Sequence, residues 1–157
     1  EDKVHIIQNA IELAIMMGVP EPKVAILSAV ETVNVKIRST LDAAALCKMA
    51  DRGQIKGGLL DGPLAFDNAI SLVAAKTKGI RSAVAGQADI LVVPDLESGN
   101  MVAKQLEYLA DALMAGVVLG ARVPIVLTSR ADTAETRTAS CAIAQLMAHK
   151  RRQGVRL

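Results

Sequence analysis

Apolar positions along the chain follow two rhythms, one returning roughly every 3.6 residues and one made of short unbroken runs. Val4, Ile7, Ile11 and Ala14/Ile15 fall on one side of a helix predicted over Val4–Met17, which Gly18 and Pro20 stop. The run KVAILSAV (Lys23–Val30) predicts a buried strand, followed by a helix over Thr40–Met49 that ends at Asp51-Arg52-Gly53. A second strand is predicted over Ile55–Leu60, running into Asp61-Gly62-Pro63, and a helix over Leu64–Lys76 with Gly79 as its C-cap signal. DILVV (Asp89–Val93) predicts the next buried strand, broken by Pro94. A helix over Gly99–Met114, strands at Gly116–Leu119 and Val123–Leu127, and a closing helix over Asp132–Arg151 complete the pattern. Asp132, with Glu135 behind it, reads as a capping box for that last helix.

Helices of roughly ten or more residues between strands impose crossover connections and hence a largely parallel sheet. The expected fold class is therefore α/β: a layered sheet with flanking helices, forming one domain over residues 1–157. No internal repeat or linker divides the chain.

Composition refines this picture. Apolar residues make up 52% and charged residues 22%, which calls for a packed globular core. That core must be built from small and branched aliphatics, because Phe66 and Tyr108 are the only aromatics. The net charge is +2, and the one basic cluster is Lys150, Arg151, Arg152 and Arg156. With no stacking aromatics beside it, the cluster reads as cations offsetting a helix dipole, and no nucleic-acid partner is expected. No apolar stretch reaches the roughly 20 residues that span a bilayer, so no membrane association is expected. Cys47 and Cys141, in apolar helical contexts and outside any CxxC pair, read as reduced core thiols of a cytoplasmic protein.

Candidate chemistry lies at the strand ends, where open parallel sheets bind ligands. Three strands run through polar turns into helices: Asp61–Asp67, Pro94–Asn100 and Thr128–Asp132. Each offers groups suited to an anion at a helix N-terminus. Ser129 and Arg130 stand out, since Arg presents forked donors for phosphate and Ser a short hydroxyl. Asp61 and Asp95 could serve as general bases, or simply stabilise their turns; His5 and His149 face no evident partner. There is no G-x-G-x-x-G after a strand, no Walker A loop, no G-x-S-x-G elbow and no zinc spacing. The residues themselves stop at an α/β domain with anion-ready strand ends.

The segments SAVETVN (Ser28–Asn34), LDAAALCKMADRGQIKGGLLDGPLAFDNAIS (Leu41–Ser71), AGQADILVVPDLESGN (Ala85–Asn100) and VPIVLTSRADTAE (Val123–Glu135) resemble, in order and spacing, the phosphate acetyl- and butyryltransferases. The TSRAD form looks closer to the butyryl and related branches. The resemblance implies a two-domain isocitrate/isopropylmalate dehydrogenase-like architecture with its active site in the cleft. This chain would supply the second domain and the terminal helix that returns to the first.

It implies transfer of a short acyl group between coenzyme A and inorganic phosphate by direct thiol attack on an acyl phosphate, without a permanently bound cofactor or a metal. Ser129 and Arg130 match the family's catalytic Ser-Arg pair. Asp61, Asp95, Ser98, Gly99 and Asn100 match motif positions lining the cleft. Thr136 stands where the acetyl branch carries an acidic residue. A homodimer is expected.

Half a cleft should be nearly inactive alone, because separated groups forfeit their positioning. The alternative reading is accordingly a non-catalytic dimerisation or scaffold fragment, with fusion to an enoyl-CoA hydratase-type domain conceivable. A metal-dependent dehydrogenase of the same architecture is a third reading.

Overall fold

A computed structural model describes residues 2–154, in the order α1 (Asp2–Met16), β1 (Lys23–Leu27), α2 (Arg38–Asp51), β2 (Leu59–Leu64), α3 (Phe66–Ile70), α4 (Leu72–Thr77), β3 (Ile90–Val92), α5 (Leu96–Leu109), β4 (Val117–Val118), β5 (Ile125–Val126) and α6 (Ala134–Arg152). Arg156 of the basic cluster lies outside the described residues.

The fold is organised by β1, whose side chains alternate between two apolar layers. Val24 and Ile26 meet Ile7 and Ile11 of α1, Ala43 and Leu46 of α2, and Ile55. Ala25 and Leu27 meet Leu64, Ala69 of α3, Ala75 of α4, Val84 and Ala85 on the opposite face. Being buried on both sides, β1 is the centre of a three-stranded parallel sheet in the order β2-β1-β3. An unbroken apolar run is what such a position requires. The chain is thus a mixed α/β structure with a parallel sheet between helical layers, as the alternation of periods implies.

β4 and β5 depart from that expectation. They form their own antiparallel pair, Val117 opposite Val126 and Val118 opposite Ile125. The connection 119–124 is too short for the crossover that a parallel pair needs. Gly116 makes the hairpin possible, since a Cβ there would overlap the Leu127 carbonyl oxygen.

Other boundaries shift for local reasons. β2 spans Leu59–Leu64 rather than Ile55–Leu60, because Gly57 turns the chain at φ 86° and pairing with β1 starts at Leu59. Ile55 instead plugs the core as a buried loop residue. The helix expected over Leu64–Lys76 breaks at Ser71, whose extended backbone lets its Oγ accept from Ala74 N–H at 3.3 Å and cap α4. α5 begins at Leu96, not Gly99, because Asp95 caps it, and it ends at Leu109. α6 is capped by Thr133, not Asp132.

The cysteine expectation also needs correcting. Cys47 is half-buried, with its thiol 3.6 Å from the Gly62 carbonyl, but Cys141 is exposed. α6 turns Thr136, Ser140 and Met147 inward, and Cys141 falls off that stripe.

Candidate functional site

Because β1, β2 and β3 run parallel, their carboxyl ends open on one edge of the sheet. The β1 end is closed by Ser28, whose N–H donates to the Leu64 carbonyl at 2.8 Å. Ser28 and Ser39 join hydroxyls at 2.8 Å, and Thr40 Oγ1 accepts from Asn34 N–H at 2.9 Å. These bonds shape the loop between β1 and α2. Glu31 within it pairs with Lys78 at 3.3 Å and accepts from the Asn68 amide at 3.2 Å. Lys78 also holds Asp67 at 3.1 Å. Its hydrogen bond keeps the Asp67 carboxyl below the ordinary carboxylate range, and the ammonium is raised in turn. Asn68 is fully buried, and its Oδ1 has no partner among the described residues.

Sequence reasoning passed over Glu31, Asn68 and Lys78. No local signal in the sequence pointed to the three together, since they are distant along the chain and meet only in the fold.

Asp61 was expected in the turn after its strand, but it sits inside β2. There it is half-buried, with Oδ1 accepting from Gly62 N–H at 2.8 Å. Together with Asp51, it adds to burial, the larger cause, in pushing the neighbouring Cys47 thiol up to about 12. A thiol so protonated is no nucleophile near neutrality.

Asp95 does lie at its strand end. Its Oδ1 accepts from Ser98 N–H at 2.8 Å and from the Ser98 hydroxyl at 2.7 Å. Both bonds favour the ionised form and hold the carboxyl below its ordinary value. Asp95 is therefore a helix cap with Ser98 as its partner, and a weak base. Gly99 fits because the first turns of α5 lie tightly against Val93, just beyond β3: a Cβ there would lie 2.8 Å from Val93 Cγ2. Asn100 is exposed on the first turn of α5.

The third turn is the most open. Ser129 and Arg130 are both exposed, and among the described residues Arg130 makes no hydrogen bond or ion pair. The turn is tied by Asp132, whose carboxylate accepts from Ser129 N–H at 2.6 Å. Ser129 Oγ accepts from Ala131 N–H at 3.4 Å, leaving its own proton free to donate. Thr133 then caps α6, accepting from Thr136 N–H at 3.2 Å. Thr136 is buried, and its backbone carbonyl accepts from Ser140 at 2.7 Å, while the Ser140 hydroxyl accepts from Gly116 N–H at 2.9 Å. At the far end of α6, Arg151 donates to the Ala121 and Arg122 carbonyls at 3.0 and 2.9 Å. α6 thereby anchors the hairpin that carries the Ser129–Arg130 turn.

The three turns are not fused into one site. No hydrogen bond or ion pair among the described residues joins Asp61 or Asp95 to Ser129 or Arg130. Lys104 of α5 is raised chiefly by its hydrogen bond to Glu107 and only further by the Asp132 carboxylate of the third turn. What the arrangement offers chemically is an unpaired guanidinium and a free hydroxyl before the positive end of a long helix, a setting for phosphate-like anions. Among the described residues, no three His, Cys, Asp or Glu side chains stand together as metal ligands, and no helix is long and apolar enough to cross a membrane.

Comparison with known proteins gives this geometry its context. A family model described as phosphate acetyl/butaryl transferase matches residues 1–145. The phosphate acetyltransferase of Rhizobium meliloti is 68% identical over 152 residues, covering 97% of this chain and 48% of that protein. The phosphate butyryltransferase of Clostridium acetobutylicum is 49% identical over 148 residues, covering 94% of this chain and 49% of that protein. Among solved structures, a branched-chain phosphotransacylase from Enterococcus faecalis matches with a TM-score of 0.84 at 35% identity, covering 94% of this chain and 54% of that one. The chain spans about half the length of the curated relatives it matches.

Proposed function

The chain belongs to the phosphate acetyl/butyryl transferase family, and we propose that it serves in the reversible transfer of a short acyl group between coenzyme A and inorganic phosphate. It would do so as the second domain of a two-domain protein of isocitrate/isopropylmalate dehydrogenase-like architecture. The observation that carries the reading is the unpaired Arg130 beside Ser129, held out by the Asp132 bond ahead of α6.

In this reading the CoA sulfur attacks the carbonyl carbon of the acyl phosphate. The new C–S bond forms as the C–O bond to phosphate breaks, and the thiol proton passes to the departing phosphate or to solvent. Arg130 gathers the charge that develops on the phosphate side, and Ser129 donates its free proton to orient that group. One placed donor of this kind is worth about 3 kcal/mol, or two to three decades of rate. Neither cysteine takes part, since Cys47 is kept protonated and Cys141 points away from the turn's helix stripe.

Asp61, Asp95, Ser98, Gly99 and Asn100 line the cleft in supporting roles. Asp95 and Ser98 fix the start of α5, and Gly99 lets the helix lie close against Val93. Thr136 is engaged in the Thr133 cap and is not the base; the departing phosphate or solvent takes the thiol proton. No permanently bound cofactor or metal is required, and the protein acts in the cytoplasm as a homodimer. Chain length discrimination between acetyl and butyryl rests on pocket depth, worth about 1–3 kcal/mol.

The test is phosphate-dependent formation of acyl phosphate and free CoA from acyl-CoA, measured on the whole gene product and on this chain alone. Turnover by the former with at least a thousandfold less from the latter is expected. An inactive whole product would favour the scaffold reading.

A further inference from the structure

Ser140 is fully buried on the inward stripe of α6, and a hydroxyl removed from water needs partners. Thr138, exposed on the same helix, shows the ordinary arrangement: its hydroxyl donates back to the Ala134 carbonyl at 2.8 Å. Ser140 makes that bond too, donating to the Thr136 carbonyl at 2.7 Å. It also accepts from Gly116 N–H, at the start of the hairpin, at 2.9 Å. One hydroxyl therefore links two elements.

The bonds continue outward on both sides. The Gly116 carbonyl accepts from Leu127 N–H at 3.0 Å, and Thr136 N–H donates to Thr133 Oγ1 at 3.2 Å. Leu127 and Thr133 flank the segment Thr128–Asp132, which carries Ser129 and Arg130. An unbroken run of hydrogen bonds through Leu127, Gly116, Ser140, Thr136 and Thr133 thus closes that turn at its base. Ser140 is the link that crosses from hairpin to helix. Among the described residues, the other hydrogen bonds from α6 to the hairpin are those of Arg151, at the connection Ala121–Arg122. The joint is also tight, since a Cβ on Gly116 would overlap the Leu127 carbonyl oxygen.

We propose that Ser140 is a positioning residue for the Ser129–Arg130 turn: its hydroxyl fixes the spacing between the hairpin and the first turn of α6, and so the place from which Arg130 reaches its ligand. A long, unpaired side chain is useful to a phosphate only if the backbone beneath it is held. Being fully buried, Ser140 acts through Arg130 and not on the ligand itself. The proposal rests on the reading that coenzyme A and acyl phosphate meet Arg130.

The test is a double-mutant cycle on this chain, read by titration of coenzyme A and by amide hydrogen exchange. Ser140→Ala should weaken coenzyme A binding about tenfold, the scale of one buried hydrogen bond, and Thr138→Ala should leave it unchanged. With Arg130→Ala already in place, Ser140→Ala should weaken binding no further, because it acts through that guanidinium. Losses that add in full, or binding indifferent to Ser140→Ala, would overturn the proposal. Exchange reads the linkage without ligand. In the native chain the Gly116 amide should be as slow as those in the middle of α6. Ser140→Ala should speed Gly116 and Leu127 about tenfold, again the scale of one such bond, and leave β1 slow. Fast exchange of Gly116 in the native chain would overturn the proposal even if Ser140→Ala fails to fold. Absent binding, or binding indifferent to Arg130→Ala, overturns the acyl-transfer reading instead; exchange then decides alone whether Ser140 sets the turn.

Discussion

The two ends of this chain are built on different terms. Residues 2–93 hold every buried apolar side chain of the described core except Met147. There, helices sandwich a parallel sheet, and the loops at its carboxyl edge are fixed by the Ser28–Ser39 and Glu31–Lys78 pairs. Residues 96–154 bury almost nothing. α5 has no buried residue, and Leu96 and Leu109 are each 84% exposed. Val123, Ile125 and Leu127 of the hairpin are exposed as well. Yet the exposed region carries the Ser129–Arg130 turn. The difference teaches that the first region is a packed scaffold, whereas the second carries its polar turn on surfaces whose apolar character suits burial against further protein.

Each region contains one cysteine, and that gives the sharpest way to break the comparison. Cys47, pushed up to about 12 by burial and by Asp61 and Asp51, has a thiolate fraction on the order of one in ten thousand at pH 8. Titration with an aromatic disulfide reagent at that pH should show one fast thiol in the native chain. Cys141→Ser should abolish the fast phase, and Cys47→Ser should leave it. Two fast thiols would mean that the scaffold opens readily around Cys47.

Next in size is the contrast in packing. Ile11→Ala, at a fully buried site between α1 and β1, should cost about 2–5 kcal/mol in urea unfolding. Leu109→Ala, at the exposed end of α5, should stay within about 0.5 kcal/mol in this chain. If Leu109→Ala costs considerably more in the whole gene product, the apolar surface of the second region is an internal interface there. Equal small costs in both would contradict that.

The smallest effect concerns the start of α5. Asp95 has a depressed carboxyl pKa in the folded chain, because Ser98 hydrogen-bonds its ionised form. Its contribution is therefore complete above the unfolded value of about 3.9 and is lost as pH falls through the lower folded value. Exchange protection in the first turn of α5 should fall below pH 4 in the native chain. Asp95→Asn, which keeps a capping oxygen without titrating, should flatten that dependence.

Much of the scaffold was legible in the sequence because it obeys local rules. KVAIL and DILVV are apolar on both faces, and they became the parallel strands β1 and β3. Gly18 and Gly79 ended helices as their positive φ allows. The misses came where tertiary context decided. Gly57 delayed β2, so that Asp61 moved from a turn into a strand. Asp132, which fits the capping pattern on paper, spends its carboxylate on Ser129, and Thr133 takes the cap. Of the candidate site, the Ser129–Arg130 turn could be read from residue types and order. The Glu31–Asn68–Lys78 cluster could not, because its members are distant in sequence and meet only when α3 and α4 fold back over β1.

Arg130 is the residue on which the proposed coenzyme A site depends, and isothermal titration of coenzyme A into the chain and into its Arg130→Ala variant tests it most directly. Saturable binding by the native chain that weakens at least tenfold in the variant is the predicted result. Equal affinity in the two proteins would contradict the placing of the coenzyme A and acyl phosphate site at the Ser129–Arg130 turn.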